Sequence, residues 1–472
     1  MNFSLLLLIL IQILSVKCTV IINGPDNNVI NKCNLDPALI AEIASYKNTT
    51  EFIINEITQK WGTKFFSQFK QFIDIFGARP SGSKILEEAI DHMIDLALKN
   101  GLDGVTTEDV NVPHWVRGEE SAVMISPRRK NIAILGFGTS ICTPPQGITA
   151  KVIVVRSFED LNTINESQIR GKIVVFDPPF ISYGKTVIYR TQGATRAAEK
   201  GALATLVRSV TPFSLYTLHT GSQYYGENVT KIPTAAITHE DADLMRSLQT
   251  AGKEITLTIK MFNTFDMKIS RNTILDLKGS EDPRKFVIVS GHIDSWDVGQ
   301  GAMDDGGGMM ISWFVPVILK YFKITPRRTI RSILWTAEEP GLVGAAAYLK
   351  AHENELMNIT FIMESDEGTF APLGLDIAGT PEARCVIQEI LKLFSPIDKI
   401  TESGSPGSDI TMFIKKGVPG ASLLNANQRY FWYHHSEADT ISVQNEIDMT
   451  NCAAFWTAVS FVIADLSIDI PR

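Results

Sequence analysis

Residues 286–297 read FVIVSGHIDSWD, and this stretch decides the fold that we predict for the chain. Residues 286–290 form an apolar run rich in β-branched side chains, which is typical of a strand buried on both faces of a sheet. Gly291 follows the run, and His292 and Asp294 come directly after it. The stretch therefore predicts a buried strand that carries polar side chains at its C-terminal end.

Further strands of this type alternate with helices along the C-terminal half. Strand patterns lie at residues 330–336 and 361–364, and helical patterns lie at residues 306–321 and 341–352. Buried strands that alternate with helices predict the α/β class, with a mixed, largely parallel sheet sandwiched by helices. In such sheets, ligands bind at the carboxyl ends of the strands.

The middle of the chain has a different pattern. Helical patterns begin at Asp36 and cover residues 84–99, and residues 105–112 have strand character. Short β-branched runs and an alanine-rich helical segment follow, without a cluster of acids, bases or metal ligands. We therefore predict a catalytic domain made of residues 36–125 and 267–472, split by an inserted α+β domain at residues 126–266.

Length and composition narrow the class of protein. A chain of 472 residues exceeds what one hydrophobic core usually serves, and 44% hydrophobic with 20% charged residues is ordinary for a globular protein. A formal net charge of −8 argues against nucleic acid or an anionic membrane as the main partner. Beyond the N-terminus no apolar run is long enough to span a membrane, and residues 452–464 are predicted as a terminal core helix.

The N-terminal region predicts entry into the secretory pathway. Residues 5–14 form an apolar run of the length found in signal peptides, although no basic side chain precedes it. We predict a signal peptide at residues 1–18, a possible pro-segment at residues 19–35, and a secreted or lysosomal protein. Four glycosylation sequons agree with this expectation and lie at Asn48, Asn165, Asn228 and Asn358. The cysteines after the leader permit disulfides but fit free thiols equally well.

Polar side chains follow four separate positions at one edge of the predicted sheet. They are His292 and Asp294, the pair Glu338 and Glu339, Asp366, and Asp304 before the helix at residues 306–321. Each group alone also fits a turn, a helix start or a simple hydrogen bond. Together they offer histidine nitrogen and carboxylate oxygen without thiolate, which is the ligand mix of catalytic zinc. A shared carboxylate lets two ions lie about 3.5–4 Å apart.

Four segments resemble, in order, the motifs of the co-catalytic zinc aminopeptidase family, the M28 peptidases. They are GHID at residues 291–294, DDG at 304–306, AEEPGL at 337–342 and HSEADT at 435–440. Longer matches at residues 291–297 and 112–118 resemble one branch of the family, which acts on dipeptides with free ends. Residues 171–175, 197–202 and 232–234 resemble the protease-associated domain that is often inserted in these enzymes.

The resemblance implies two zinc ions per chain. One would be held by His292, Asp304 and Asp366. The other would be held by Asp304, Glu339 and His435, so that Asp304 bridges both ions. The resemblance also implies a zinc-dependent carboxypeptidase or dipeptidase that cleaves short peptides, and a homodimer.

Other residues receive roles from the same resemblance. Glu338 would be the general base that takes a proton from the metal-bridging water and passes it to the leaving amine. Asp294 could accept the free N–H of the His292 ring and fix its tautomer. His434 stands where many relatives have tyrosine, so it would donate to the oxyanion or line the pocket. In relatives the peptide bond after the bridging aspartate is cis, which predicts a cis bond between Asp304 and Asp305.

Three alternatives stay open at this point. An aminopeptidase of the same fold would use the same residues, and a glutaminyl cyclase would share the fold with one working zinc. A catalytically inactive, receptor-like ectodomain would share the architecture without the metal ligands, and the intact set of ligands argues against it.

Overall fold

The first described helix begins where the sequence predicts it. The Asp36 side chain accepts the N–H of Ala38 at 2.8 Å and Pro37 occupies the first turn, so the helix Pro37–Ser45 is capped at its N-terminus. The computed structural model describes residues 33–404 and 406–472. The predicted signal peptide and nearly all of the possible pro-segment therefore lie outside the described residues.

The described residues contain both helices and strands throughout. The strands are β1 (Gly104–Ser126), β2 (Lys130–Ile132), β3 (Ile134–Gly136), β4 (Ile148–Val155), β5 (Ile173–Phe176), β6 (Ala204–Arg208), β7 (Thr234–Ile237), β8 (Thr256–Leu277), β9 (Asp282–His292), β10 (Arg328–Trp335), β11 (Ile359–Glu364), β12 (Pro372–Ala378), β13 (Lys399–Thr401) and β14 (Gly420–Asn425). The α-helices are α1 (Pro37–Ser45), α2 (Lys47–Glu56), α3 (Gly62–Phe76), α4 (Lys84–Lys99), α5 (Phe158–Thr163), α6 (Glu166–Ile169), α7 (Tyr183–Thr186), α8 (Ile188–Ala198), α9 (His239–Thr250), α10 (Gly307–Phe322), α11 (Val343–Ala351), α12 (Pro381–Leu391), α13 (Thr411–Ile414), α14 (Tyr430–Tyr433) and α15 (Glu446–Asp465).

Hydrogen bonds join the strands into one continuous path. The order is β13-β12-β14-β11-β9-β10-β8-β4-β5-β6-β7-β3, and β1 pairs with both β8 and β2. Strands β10, β9, β11 and β14 are parallel to one another, whereas β8 and β12 run antiparallel to their neighbours in this group. The predicted mixed, largely parallel sheet with helices around it is confirmed. Its parallel centre holds β9, β10 and β11, the three strands predicted to carry polar residues at their ends.

Two almost entirely buried helices cover this central region. Helix α10 buries every residue from Gly307 to Leu319, and α15 buries every residue from Cys452 to Ala464. Both helices share one hydrophobic core with Val287 and Val289 of β9. By length and composition alone α15 could cross a membrane, but 83% of its apolar window is buried inside the protein, which confirms the predicted core helix.

A long two-stranded ribbon was only partly predicted. The strand expected at residues 105–112 continues as β1 to Ser126, and it pairs antiparallel with β8, which the sequence did not suggest. Pro113 and Gly118 lie inside β1 and weaken its strand pattern, and much of the ribbon is exposed on both faces. The predicted domain boundary at residue 266 lies within β8. The protease-associated character of residues 126–266 stays a prediction.

The cysteines fall into two groups in the described part of the chain. Cys33 and Cys385 are each disulfide-bonded, and Cys142 and Cys452 are free thiols. Of the sequon asparagines, Asn48, Asn165 and Asn228 are exposed, whereas Asn358 is half-buried. Glycosylation stays a prediction.

Candidate metal centre

The ends of neighbouring strands bring the predicted polar residues together. Strand β9 ends at His292, and Glu339 follows the end of β10. Asp366 follows the end of β11, and Asp304 lies in the short kinked segment Ala302–Gly306 that leads into α10. His435 lies just after α14. All five side chains are buried or half-buried, so the cluster is held away from bulk water.

The five residues form two groups that share one carboxylate. The Nε2 atom of His292 lies 3.2 Å from Oδ1 of Asp304 and 3.1 Å from Oδ1 of Asp366. The Nε2 atom of His435 lies 3.1 Å from Oδ2 of Asp304 and 2.9 Å from Oε2 of Glu339. Each oxygen of Asp304 therefore faces a different histidine.

Hydrogen bonds on the far side of each ring show that the residues fit metal ions. His292 Nδ1 donates to the carbonyl of Asp294 at 2.9 Å, and His435 Nδ1 donates to the carbonyl of Thr220 at 3.2 Å. Because a carbonyl only accepts, Nδ1 carries a proton, so Nε2, which points at two carboxylates, is the nitrogen that can bind a metal once the ring is neutral. Oδ2 of Asp304 and Oε1 of Glu339 are also buried without a hydrogen-bond partner. A cation in each group would satisfy all of these atoms.

The electrostatics of the cluster agree with this fit. Burial and the Asp304 charge raise the pKa of Glu339 to about 7, and burial together with Asp366 and Glu339 raises the pKa of Glu338 well above its usual value. Burial lowers the pKa of His435, but Glu339 and Asp304 outweigh it and raise that pKa to about 9. So many acids cannot all ionise together in a buried site unless positive charge balances them.

The candidate base, Glu338, lies beside the first group. Its Oε2 atom is 4.0 Å from Nε2 of His292, and its side chain lines a cavity next to the cluster. The Asp294 carboxylate accepts the backbone N–H groups of Glu338 at 3.0 Å and Glu339 at 3.3 Å. The structure differs from the expectation in one detail, because the His292 ring donates to the main-chain carbonyl of Asp294 and lies 3.7 Å from its carboxylate. Asp294 thus holds the segment that carries both glutamates.

His434 packs flat against His435. Their ring centroids are 3.5 Å apart with an interplanar angle of 17°, and Nε2 of His434 lies 3.6 Å from Oδ2 of Asp304. Burial lowers the pKa of His434 well below its usual value, so the ring is neutral. Asp304, His434 and His435 could also hold an ion together, and the role of His434 stays a prediction.

The backbone near the site has the predicted cis bond and two strained positions. The Asp304–Asp305 peptide bond is cis, as the family resemblance predicts. Ala337 and His435 have φ angles of 55° and 58°, a left-handed conformation that side chains other than glycine seldom adopt. Such strain is concentrated at functional sites, where the surrounding structure enforces it.

Three further residues support the site, and two of them, Asp439 and Arg79, were given no role by the sequence. Asp439 accepts the backbone N–H groups around Asp304, and its place in the HSEADT motif was the available signal. Ser408 donates to Oδ2 of Asp366 at 2.6 Å. Arg79 is fully buried and donates to the carbonyls of Ile293, Gly301 and two other residues beside the site, and no local pattern reveals it.

The cluster opens into a cavity of about 700 Å³. Glu338, Asp366 and His435 line one side of it. Tyr183 and Arg190, from the region between β5 and β6, line the side contributed by residues 126–266. The site is therefore a pocket between the end of the parallel strands and the middle part of the chain.

Comparisons with known proteins agree with this geometry. The family model of peptidase family M28 matches residues 272–460. Carboxypeptidase Q from Xenopus laevis is 48% identical over 436 residues, which are 91% of this chain and 92% of the relative. The chain belongs to peptidase family M28. The crystal structure of a peptidase M28 precursor from Shewanella amazonensis has a TM-score of 0.86 with 30% identity, covering 91% of this chain and 99% of that one.

A more distant structure shows the same fold. The zinc aminopeptidase from Bacillus subtilis has a TM-score of 0.66 with 20% identity, covering 87% of this chain and 98% of that one. The similarity of the chain to carboxypeptidase Q over nearly its whole length makes it a zinc-dependent exopeptidase. The receptor-like alternative is not favoured.

Proposed function

We propose that this M28 peptidase removes the C-terminal residue of dipeptides whose two ends are free, and that it works with two zinc ions. The observation that carries the proposal is the shared carboxylate of Asp304, whose two oxygens face His292 and His435 separately. A single zinc site would need only one of these groups. The relatives named carboxypeptidase Q support the C-terminal direction of cleavage.

The proposed ligands follow from the two groups. His292, Asp304 and Asp366 would hold one ion, and Asp304, Glu339 and His435 would hold the other. Zinc supplies Lewis acidity and makes water easier to deprotonate near neutral pH. The Nδ1 hydrogen bonds of both histidines keep their Nε2 lone pairs directed at the site, and the Asp294 carboxylate fixes the backbone of Glu338 and Glu339.

Glu338 is the proposed general base. Its side chain lines the cavity but, unlike Glu339, makes no close contact with His435, so it is free to face the attacking water. It takes a proton from that water and passes it to the nitrogen of the leaving amino acid. Glu338 is ionised in this role because the bound ions offset the burial and the neighbouring acids that raise its pKa.

The test compares two substitutions at the centre. Glu338→Gln should lower kcat for a free dipeptide at least about 100-fold, because a base is lost, and should leave the zinc content near normal. Asp304→Ala should lose zinc as well as activity, because it removes a ligand of both ions. Glu437→Gln is the control, since this exposed acid lies in the same segment as His435 but outside the cavity. Loss of zinc from the Glu338→Gln protein would refute the roles given to the two glutamates.

Substrate ends and metal counts separate this proposal from its enzymatic rivals. Blocking the C-terminus as an amide should abolish cleavage by a carboxypeptidase and spare an aminopeptidase. Blocking the N-terminus by acetylation should abolish cleavage by an aminopeptidase, and it also reports whether this enzyme needs a free amine. A glutaminyl cyclase would be fully active with one zinc per chain, so two zinc ions per chain at full activity exclude it.

We further propose that the enzyme is a secreted or lysosomal glycoprotein and a homodimer. The apolar run at residues 5–14, the exposed sequons and the disulfide-bonded cysteines support passage through an oxidising compartment. Expression in animal cells should give a product whose mass falls on treatment with an N-glycosidase. An unglycosylated product retained in the cytosol would refute the location, and light scattering at the mass of one chain would refute the dimer.

A further inference from the structure

The cavity has an acidic end beyond the metal centre. Glu367, Asp376 and Glu402 form this acidic end, in addition to the four acids that surround the proposed zinc ions. Two zinc ions would bring four positive charges, which balance those four carboxylates. Glu402 pairs with Arg384 at 2.7 Å, whereas Glu367 and Asp376 form no ion pair in the described part of the chain. Asp376 is only 8% exposed, and a buried charge normally has a partner, so the missing cation needs an explanation.

Neutral donors hold the two unpaired carboxylates in place. The Asp376 carboxylate accepts the hydroxyl of Thr401 at 2.6 Å, and it accepts both the N–H at 3.0 Å and the hydroxyl of Ser403. The side-chain amide of Asn427 donates to the carboxylate of Glu367. These donors fix the direction of each carboxylate but bring no positive charge. Both side chains line the cavity, so a cation that enters the cavity can reach them.

Tyr430 gives an independent sign of a ligand in the same cavity. Its side chain is 3% exposed and lines the cavity, yet its hydroxyl makes no hydrogen bond to any residue that the structure describes. Burial and the charges of Asp304, Asp366 and Glu367 raise the pKa of this hydroxyl well above its usual value. The neutral hydroxyl therefore lies near acids of both the metal centre and the acidic end. A buried hydroxyl normally has a hydrogen-bond partner, and here a bound group would supply it.

The order of the strands sets the distance from the metal centre to the acidic end. Asp366 follows β11 and Asp376 lies on β12, with β14 between the two strands. Neighbouring strands lie about 4.8 Å apart, so β11 and β12 are separated by roughly 10 Å. The α-ammonium of a dipeptide lies only about 2.5 Å from the carbonyl carbon that is attacked. A lysine side chain carries its ammonium about 6 Å beyond Cα, so a long basic side chain suits this span and an α-ammonium does not.

Charge also determines which residue of the substrate faces the acidic end. Glu367 and Asp376 repel a free C-terminal carboxylate, so the C-terminal residue lies toward the opposite end of the cavity. The N-terminal residue therefore faces the acids. Leu423 and Leu424 of β14 line the cavity on the strand between β11 and β12, and they offer apolar surface to the methylene stem of a basic side chain.

We propose that the acidic end binds the cationic side chain of an N-terminal lysine or arginine, so that the enzyme prefers dipeptides that begin with a basic residue. This inference rests on the proposed function and names its substrate class. Glu367 and Asp376 accept N–H groups of the cation, and the Tyr430 hydroxyl is a third acceptor. Hydrogen bonds between charged groups are roughly twice as strong as those between neutral groups, which gives the basic side chain its advantage.

The kinetic test compares lysyl-leucine with norleucyl-leucine, whose side chain has the same four-carbon stem without the amine. The wild-type ratio of kcat/KM should favour lysyl-leucine about 100-fold, mostly through KM. Glu367→Gln and Asp376→Asn should each lower this ratio about tenfold, and Tyr430→Phe about threefold. Glu382→Gln is the control, since this acid of α12 is exposed and outside the cavity. A wild-type ratio near one would overturn the proposal. Equal losses on both substrates would do so too, because they would mean that the acids bind the α-ammonium or only support the fold.

A charge reversal tests the same site without removing the buried Asp376. Glu367→Lys places a cation at the acidic end and should make glutamyl-leucine a better substrate than norleucyl-leucine, as measured by kcat/KM. Arginyl-leucine should lose the advantage that it has over norleucyl-leucine in the wild type. If Glu367→Lys keeps the wild-type order of substrates, the acidic end does not contact the N-terminal side chain and the proposal is wrong.

A binding measurement separates this inference from the proposed function. In the inactive Glu338→Gln enzyme loaded with zinc, calorimetry should show lysyl-leucine binding about 100-fold more tightly than norleucyl-leucine. Adding Glu367→Gln and Asp376→Asn together should remove that difference. If the active enzyme cleaves no dipeptide, the proposed function fails, and the calorimetry still decides the role of the acidic end. If the enzyme cleaves dipeptides but binds these two equally, the inference about the acidic end alone is wrong.

Discussion

Asp439 should control how firmly the enzyme holds its metal, although it is not a proposed ligand. Its Oδ1 accepts the N–H of Ala302 at 3.1 Å and of Met303 at 2.7 Å, and its Oδ2 accepts the N–H of Asp304 at 3.1 Å. Asp439→Ala leaves three buried donors without an acceptor. Each unsatisfied donor costs about 1–3 kcal/mol, so the free energy of unfolding should fall by roughly 3 kcal/mol even if water replaces some of these bonds.

Part of the lost free energy should appear as weaker zinc binding, because the backbone segment that Asp439 no longer holds carries Asp304. Substituting a residue that orients a metal ligand usually lowers metal affinity about 10–100-fold. Zinc retention would be measured against a series of chelator concentrations, and the unfolding midpoint by calorimetry. Asp439→Asn is the informative companion, because one oxygen can still serve Ala302 and Met303 while the amide nitrogen faces the N–H of Asp304. It should keep most of the stability and lose zinc affinity. An Asp439→Ala protein that resists chelator like the wild type would refute the reasoning.

Two further predictions concern Ser408, which contacts Asp366, and His219, which contacts the main chain of His434. Ser408→Ala removes the hydrogen bond to Oδ2 of Asp366 and should lower zinc affinity about tenfold. Ser408→Thr keeps the hydroxyl and should leave the affinity unchanged. Chelator competition measures the zinc affinity of both variants. Burial lowers the pKa of His219 from 6.5 to about 4, so the stability that the neutral ring contributes is complete above pH 6.5 and is lost as the pH falls toward 4. The pKa shift corresponds to about 3 kcal/mol of stability. His219→Gln should therefore make the thermal unfolding midpoint less sensitive to pH between 6.5 and 4. An unchanged pH dependence would show that His219 is not the residue responsible.

Residues at the ends of parallel strands could be predicted because the fold itself brings them together. His292, Glu339 and Asp366 each follow a buried apolar run, and the carboxyl ends of such strands meet at one edge whatever the order of the strands. Helix α4 could be predicted to its last residue because Ser83 caps its start and one face is regularly apolar. Local pattern and global fold agree at these positions.

The missed features depend on contacts between distant parts of the chain. Strand β1 contains Pro113 and alternates irregularly, so only its pairing with β8 makes it a strand along its full length. Arg79 and Arg190 lie in segments whose patterns resemble ordinary turns and helices, and most of the carbonyls that hold their side chains are more than 25 residues away. A sequence pattern of short period carries no information about such partners.

The segment Thr220–Ser222 gives residues 126–266 a direct part in the chemistry. The Thr220 carbonyl is the acceptor that fixes the proton of His435 on Nδ1, and without it the ring could turn or change tautomer and withdraw its Nε2 lone pair from the metal. The same carbonyl also accepts from Arg190 Nη1, so the position of the metal ligand and the position of a buried arginine that lines the cavity depend on one oxygen atom. A displacement of this segment would therefore disturb zinc binding and the lining of the cavity together, which a separately folded lid over a finished active site would not do.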